Sequence, residues 1–260
     1  MKSVARALNP WRIFRNVFSW LFRLWGSYKR LLLVAFILIA LGGFILSLEP
    51  ATRQIIAVGL FGRRSVIVLL LLFSLVTLSL LWSAGQRLDT WIFLRFNLRG
   101  YHPLWLDRVM WAATQIGNGA VGILTGVALY FLRQGRLAVQ LLLGILTLWL
   151  VVELIKAIVE RSRPFLVLEG TRIIGWKERG KSFPSGHTAQ AFFMMTLLSL
   201  ELPYGPLFTA TAYFLAALVG FTRIYVGAHY PRDVIGGAVL GSVWGILTSM
   251  VQVYLSTGTF

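Results

Sequence analysis

Apolar runs of membrane-crossing length constrain this chain more than any other feature. Leu31–Leu48 carries no charged residue and reaches the roughly 17–25 residues that a helix needs to cross a bilayer core. Ser65–Gln86 is a second strong run, Val109–Leu132 and Leu137–Ile155 are a third and fourth, and Thr188–Leu200, Leu207–Phe221 and Val234–Ser256 follow. The four-residue joint Arg133-Gln134-Gly135-Arg136 makes the third and fourth an antiparallel hairpin. With 57% hydrophobic and 13% charged residues and a mean hydropathy of +0.75, the solvent for most of the chain is lipid, and one integral membrane domain is expected. The formal charge of +16 does not point to nucleic acid. The basic residues cluster at the edges of apolar runs, where they anchor to anionic lipid and set topology. Zero cysteines exclude disulfides, thiolate catalysis and cysteine-ligated metals.

Residues 1–30 hold seven Lys/Arg and no acid. At about 100° per residue, Arg12, Arg15, Asn16, Ser19 and Arg23 fall on one sector of Trp11–Trp25, and Phe14, Phe18, Leu21 and Trp25 on the other. This predicts an amphipathic interfacial helix facing anionic lipids. Gln54–Phe61 is too short to cross alone, so the chain is divided into residues 1–64, an N-terminal appendage with an extra membrane segment, and a core at 65–260. Arg87–Arg108 mixes charges, His102 and Pro103 with aromatics and is expected as a surface helix and loop, His102 being interfacial or structural. Gly122 and Gly126 form a GxxxG, a pattern for close helix contact; packing within the chain is expected over a dimer contact.

Three polar constellations interrupt the apolar pattern. Lys156 and Arg163-Pro164 are seven residues apart, close to two helical turns, so both cations are expected on one helix face, with Pro164 helping to end the helix. Ser182–His187 reads Ser-Phe-Pro-Ser-Gly-His and precedes an apolar helix. A hydroxyl, a glycine and the first amides of a helix make an anion site. Arg223, His229 and Asp233 form the third group, with Pro231 fitting the first turn of a helix and Asp233 placed to orient the His229 imidazole. Counting crossings, all three groups converge on one membrane face. Together they supply cations and a hydroxyl for phosphoryl oxygens, with histidines for nucleophilic and acid roles.

The sequences Lys156-x6-Arg163-Pro164, Pro184-Ser185-Gly186-His187 and Arg223-x5-His229-x3-Asp233 resemble the three signature motifs of the type 2 phosphatidic acid phosphatase superfamily, over about Ser65 to Ser256. Thr222 stands where the family usually has serine, a hydroxyl for a hydroxyl. The resemblance implies an all-α, six-helix membrane bundle, to which residues 1–64 add the extra segment. It implies that His229 attacks phosphorus to form a phosphohistidine, that Asp233 orients it, and that His187 protonates the leaving oxygen and then activates water. Lys156, Arg163, Ser185, Gly186 and Arg223 would hold the phosphoryl oxygens, with no metal and no other cofactor.

A site at headgroup level suits a membrane lipid phosphate or diphosphate, and the resemblance implies one of the phosphatidic acid, phosphatidylglycerol phosphate or undecaprenyl diphosphate kind. Lys177, Arg179 and Lys181 are solvated charges or contacts to a second phosphate. The expected location is a cell membrane, inner or plasma, with the site facing outward, although the basic N-terminus and a count of seven crossings favour the cytoplasmic face. A transporter or scaffold reusing the same face to bind anions without turnover is the competing reading.

Overall fold

The computed structural model describes residues 32–99 and 102–257, all helix, turn and loop. The helices are α1 Leu32–Ser47, α2 Pro50–Gly62, α3 Arg64–Ser79, α4 Ser83–Asn97, α5 Leu104–Thr114 with a 3-10 turn at Gln115–Gly117, α6 Gly119–Phe131, α7 Gly135–Val159, α8 Pro164–Val167, α9 Gly186–Glu201, α10 Gly205–Tyr225 and α11 Pro231–Thr257. Contacts divide the chain between Arg53 and Gln54 into two compact units. The first contains α1 and the second the bundle that follows. The amphipathic helix expected at Trp11–Trp25 lies outside the described residues.

The protein is a multi-pass membrane protein. Among the described residues, three helical stretches, Gly135–Val167, Gly205–Tyr225 and Pro231–Val251, are long and apolar enough to cross a bilayer, and two bent pairs bring the number to five if each is one span. Large apolar side chains such as Leu75, Leu146 and Phe214 are exposed, as a lipid solvent permits.

The second unit is built around α9. Ala189, Ala191, Phe193, Met194 and Leu197 are buried, and α11 crosses this helix at glycine distance. Gly237, Gly241 and Gly245 recur every four residues, so they share one face. A Cβ on Gly241 would lie 2.1 Å from the Ala189 carbonyl oxygen, and one on Gly237 2.6 Å from that of Ser185. On the opposite side the Phe193 ring fills the space that a side chain at Gly144 of α7 would need. Backbone contact of this kind replaces the hydrophobic drive that lipid removes. It also fixes the first turn of α9 against the first turn of α11. Gly122 meets Ile145 and Gln190, and Gly126 meets Leu142, so the GxxxG of α6 serves packing within the chain.

Two apolar runs differ from their expected form. The run Ser65–Gln86 is not one helix: α3 ends at Ser79 and α4 starts at Ser83. The Arg232 guanidinium donates to the Ser79 carbonyl and Gln86 Nε2 donates to the Leu80 carbonyl at 2.8 Å, satisfying the end of α3 where the chain turns. Arg87–Arg108, expected as a surface helix and loop, is exposed along one side but turns a polar edge of α4 into the bundle. Asp89, Phe93 and Asn97 of α4, four apart, are buried, whereas Leu88 and Trp91 are exposed. The polar face turns inward because its partners are there. Asn97 Nδ2 donates to the carbonyls of Arg172 at 2.9 Å and Tyr225 at 2.8 Å, and Asn97 Oδ1 accepts from the Arg172 amide. His102 is structural, with Nδ1 3.2 Å from the Tyr225 hydroxyl. The third run starts earlier than expected, at Leu104, and bends by 57° before α6, where Asn118 Oδ1 accepts from the Ala120 amide at 3.0 Å.

Candidate active site

The first constellation leaves the helix before its arginine. Glu160 caps α7 in a left-handed conformation, φ 52°, and Arg163 is extended at φ −74°, ψ 153°, the conformation that a following proline favours. Lys156 and Arg163 therefore do not share a helix face. The break carries Arg163 inward, where it is 1% exposed. Its guanidinium donates to the carbonyls of Arg179, Gly180 and Ala228, each at 3.2 Å, and approaches His229 Nε2 at 3.1 Å. Lys156 stays on α7, with Nζ bonded to Glu153 at 2.8 Å.

The second constellation starts α9. Ser185 is its N-cap, accepting from the Thr188 hydroxyl at 2.9 Å and, at 3.5 Å, from the Thr188 amide. Its own amide donates to the Asp233 carbonyl at 3.0 Å, joining the starts of α9 and α11. Gly186 lies near Lys156: a Cβ built there would be 4.0 Å from Nζ.

The third constellation is the most buried. Arg223, near the end of α10, donates through Nη1 to the Thr114 hydroxyl at 2.8 Å, and its buried Nε has no partner among the described residues. Asp233, in the first turn of α11 and fully buried, accepts from the Tyr230 amide at 2.9 Å, the Ser182 hydroxyl at 2.5 Å and Arg161 Nη1 at 2.5 Å. His229 Nδ1 is 3.5 Å from Ser182 Oγ and 3.7 Å from Asp233 Oδ2, so it faces the bonded hydroxyl and carboxylate together. Nε2 faces both the Arg163 guanidinium at 3.1 Å and the Glu178 carboxylate at 3.7 Å.

All eight residues read from the sequence come together at this end of the bundle, although Ser185 is turned to its cap. Five that the sequence reading did not assign to the site complete the arrangement. Glu178 occupies the centre: its carboxylate is ion-paired with Arg163 at 2.9 Å and with Arg223, and lies 3.6 Å from His187 Nδ1 and 3.7 Å from His229 Nε2. Arg161 bridges Asp233 and Asp89, the second at 2.5 Å, and Arg232 Nε pairs with Asp89 at 2.7 Å. Ser182 was visible only as part of its motif. The available signal for Arg161 and Asp89 was that each is an ionisable residue at the end of an apolar run, where an unpaired charge is costly. Glu178 was hidden among Lys177, Arg179 and Lys181.

Burial would raise the Glu178 carboxyl, but the nearby His229, Arg223 and His187 more than offset it and hold the group well below the usual carboxylate range. Burial lowers His187, ahead of the apolar stretch of α9, and Arg223 adds to that, taking it to about 3. Two cavities meet here. One of about 440 Å³ runs from Lys156, Arg163, Glu178, Gly186 and His187 to the apolar Ile145, Leu148, Trp149 and Val152. A smaller one of about 150 Å³ lies on the other side of Glu178 and His187, by Trp111, Thr114, Trp176 and Arg223. Cations, two imidazoles and an adjoining apolar groove can hold an amphiphilic anion.

Residues 137–256 match the family model of the PAP2 superfamily. The undecaprenyl-diphosphatase of Sulfolobus acidocaldarius is 28% identical over 193 residues, 74% of this chain and 91% of that protein. Phosphatidylglycerophosphatase B of Bacillus subtilis is 30% identical over 150 residues, 53% of this chain and 70% of that protein. The crystal structure of a transmembrane PAP2 type phosphatidylglycerolphosphate phosphatase from Bacillus subtilis superposes with a TM-score of 0.65 at 26% identity, covering 74% of this chain and 98% of that one. The chain belongs to the PAP2 superfamily.

Because Arg161 neutralises two buried carboxylates, Arg161→Met is expected to destabilise the protein by about 3–5 kcal/mol, the cost of breaking a buried pair from one side. Arg161→Lys keeps the charge but not the fork that reaches both, and should fall between. Thermal unfolding in detergent checks the order. Equal stability of all three would remove the bridge from the account.

Proposed function

We propose that this protein is a membrane-embedded phosphatase that hydrolyses a lipid phosphomonoester or diphosphate through a phosphohistidine. One observation carries the reading: Arg163, Arg223, His187 and His229 surround a single anion, the Glu178 carboxylate, at the head of a groove with an apolar wall. A phosphoryl group in that position would have Arg163 and Arg223 on its oxygens and His229 Nε2 facing phosphorus. The names of the relatives support a lipid-borne substrate of the undecaprenyl diphosphate or phosphatidylglycerol phosphate kind.

In this mechanism a bond forms between Nε2 and phosphorus as the bond from phosphorus to the lipid oxygen breaks. The Nδ1 proton stays directed at Ser182 and Asp233, which stabilise the imidazolium that develops. His187 gives its proton to the departing lipid oxygen, then takes one from the water that cleaves the phosphohistidine and releases phosphate. A phosphoryl dianion brings more negative charge than the carboxylate it replaces, which raises His187 toward the protonated form that an acid needs. Lys156, at the mouth of the groove, and the Ser185 and Gly186 turn are assigned to the remaining oxygens. No step uses a metal. This machinery belongs to residues 65–260, while the basic residues of the N-terminal stretch meet anionic lipid.

Phosphate release from a panel of lipid phosphates in detergent tests the reaction. Wild type should release phosphate from at least one lipid, and His229→Ala should lose roughly a thousandfold or more in kcat. Undiminished release by the variant would sink the mechanism, and no release from any lipid by wild type would favour a transporter or scaffold.

The site is assigned to the outer face of the cell membrane. Arg133 and Arg136 lie in the turn that starts α7, at the other end of that helix from Lys156, and short basic turns stay on the cytoplasmic side. Single cysteines introduced at Gly135 and Lys177 into this cysteine-free chain report the sides directly. Labelling of intact cells should mark position 177 and not 135. The reverse pattern would place the site in the cytoplasm.

A further inference from the structure

Glu178 is the one residue at the centre of the site that the proposed reaction does not use. Its carboxylate sits where the phosphoryl group is assigned, held by Arg163 and Arg223 with both imidazoles within 4 Å. Substrate and Glu178 cannot occupy that position together. The segment that carries it is fastened on either side. Before it, the Arg172 amide and guanidinium are held by Asn97 and Asp107, and the Ile174 amide donates to the Val226 carbonyl at 3.2 Å. After it, the Ser182 amide donates to the Arg161 carbonyl at 2.8 Å. Between these anchors, Gly175 and Gly180 adopt φ +82° and +85°, a region where glycine is unstrained, and Trp176 is 87% exposed. Among the described residues, 175–178 make no backbone–backbone hydrogen bond. Arg163 holds the carbonyls of Arg179 and Gly180, so residues 175–178 are the part that can swing outward without breaking a ladder or uncovering a core.

Resting on the reading of the site as one for lipid phosphates, we propose that Glu178 is a specificity-determining residue: a tethered carboxylate that holds the phosphoryl position against free phosphate and yields to a lipid-borne phosphate. A tethered group competes at an effective concentration in the millimolar range. Inorganic phosphate and soluble phosphomonoesters must displace it with their charge alone. A lipid-borne phosphate adds the binding free energy of its apolar chain against Ile145, Leu148, Trp149 and Val152. Free phosphate thus binds weakly both as product and as competitor, while the lipid substrate is admitted.

The test compares wild type with Glu178→Gln, which keeps the shape and removes the charge, and with Glu178→Asp, which keeps the charge and shortens the reach by one methylene. Three readouts are taken in detergent: the inhibition constant of inorganic phosphate, the ratio of kcat/KM for a lipid phosphate to that for p-nitrophenyl phosphate, and the rise in thermal unfolding temperature on adding inorganic phosphate. In Glu178→Gln the inhibition constant should fall about tenfold, the lipid preference should shrink by a similar factor, and phosphate should stabilise the variant more than wild type. Glu178→Asp should lie between. An unchanged or raised inhibition constant would overturn the proposal. So would a loss of kcat on both substrates with a lost limb in the pH profile, which would make Glu178 a proton carrier instead. If wild type turns over no lipid, the substrate reading fails, but the phosphate-dependent stabilisation still decides whether Glu178 competes for the anion position.

Discussion

Removing a carboxylate from water is costly unless every lone pair finds a donor, and Asp233 is fully buried at the start of α11. Its donors come from distant parts of the sequence: Arg161 beyond the end of α7, Ser182 from the long loop and the Tyr230 amide from its own turn. Arg161 in turn needs Asp89 of α4, which also holds Arg232. The bundle cannot satisfy Asp233 without joining α4, α7, the loop and α11 at one point. His229 lies one turn before that carboxylate, so the same charge balance that closes the fold sets the imidazole. In a chain whose outer surface is apolar, this polar end does what a hydrophobic core does in water: it selects one arrangement.

Much of this was legible in the sequence, because the physics involved is local or periodic. Apolar runs mark helices wherever lipid is the solvent, and the motif residues fall at helix ends, where unpaired backbone groups and charges belong. Pro231 signalled the start of α11, and His229 with Asp233 followed from that start. Arg163 shows where local reasoning stops. Seven residues from Lys156 suggested one helix face, yet Glu160 turns left-handed and Pro164 requires an extended residue before it. Likewise α4 reads as a surface helix by its charges. Only its tertiary partners, Arg161, Arg172 and Arg232, show that Asp89 and Asn97 point inward.

Glu178 was the least visible of all, because nothing in the run Lys177-Glu178-Arg179-Gly180-Lys181 distinguishes one acid among cations from a solvated loop. Its role depends on Arg163, Arg223, His187 and His229 meeting around it, which is a fact of topology. The glycine face of α11 is similar. Gly237, Gly241 and Gly245 acquire meaning only through the backbone of α9 pressed against them, and that contact aligns the Ser185 turn with Asp233. Packing, charge pairing and the candidate chemistry thus share the same few residues.

The most direct measurement is rapid acid-free quenching of the wild-type enzyme during turnover of a lipid carrying a labelled phosphate, followed by peptide mapping. The expected result is a transient, acid-labile and alkali-stable label on His229, absent in His229→Ala and longer-lived in His187→Ala, where water activation is lost. Phosphate release without any protein-bound label, or with the label on another residue, would contradict it.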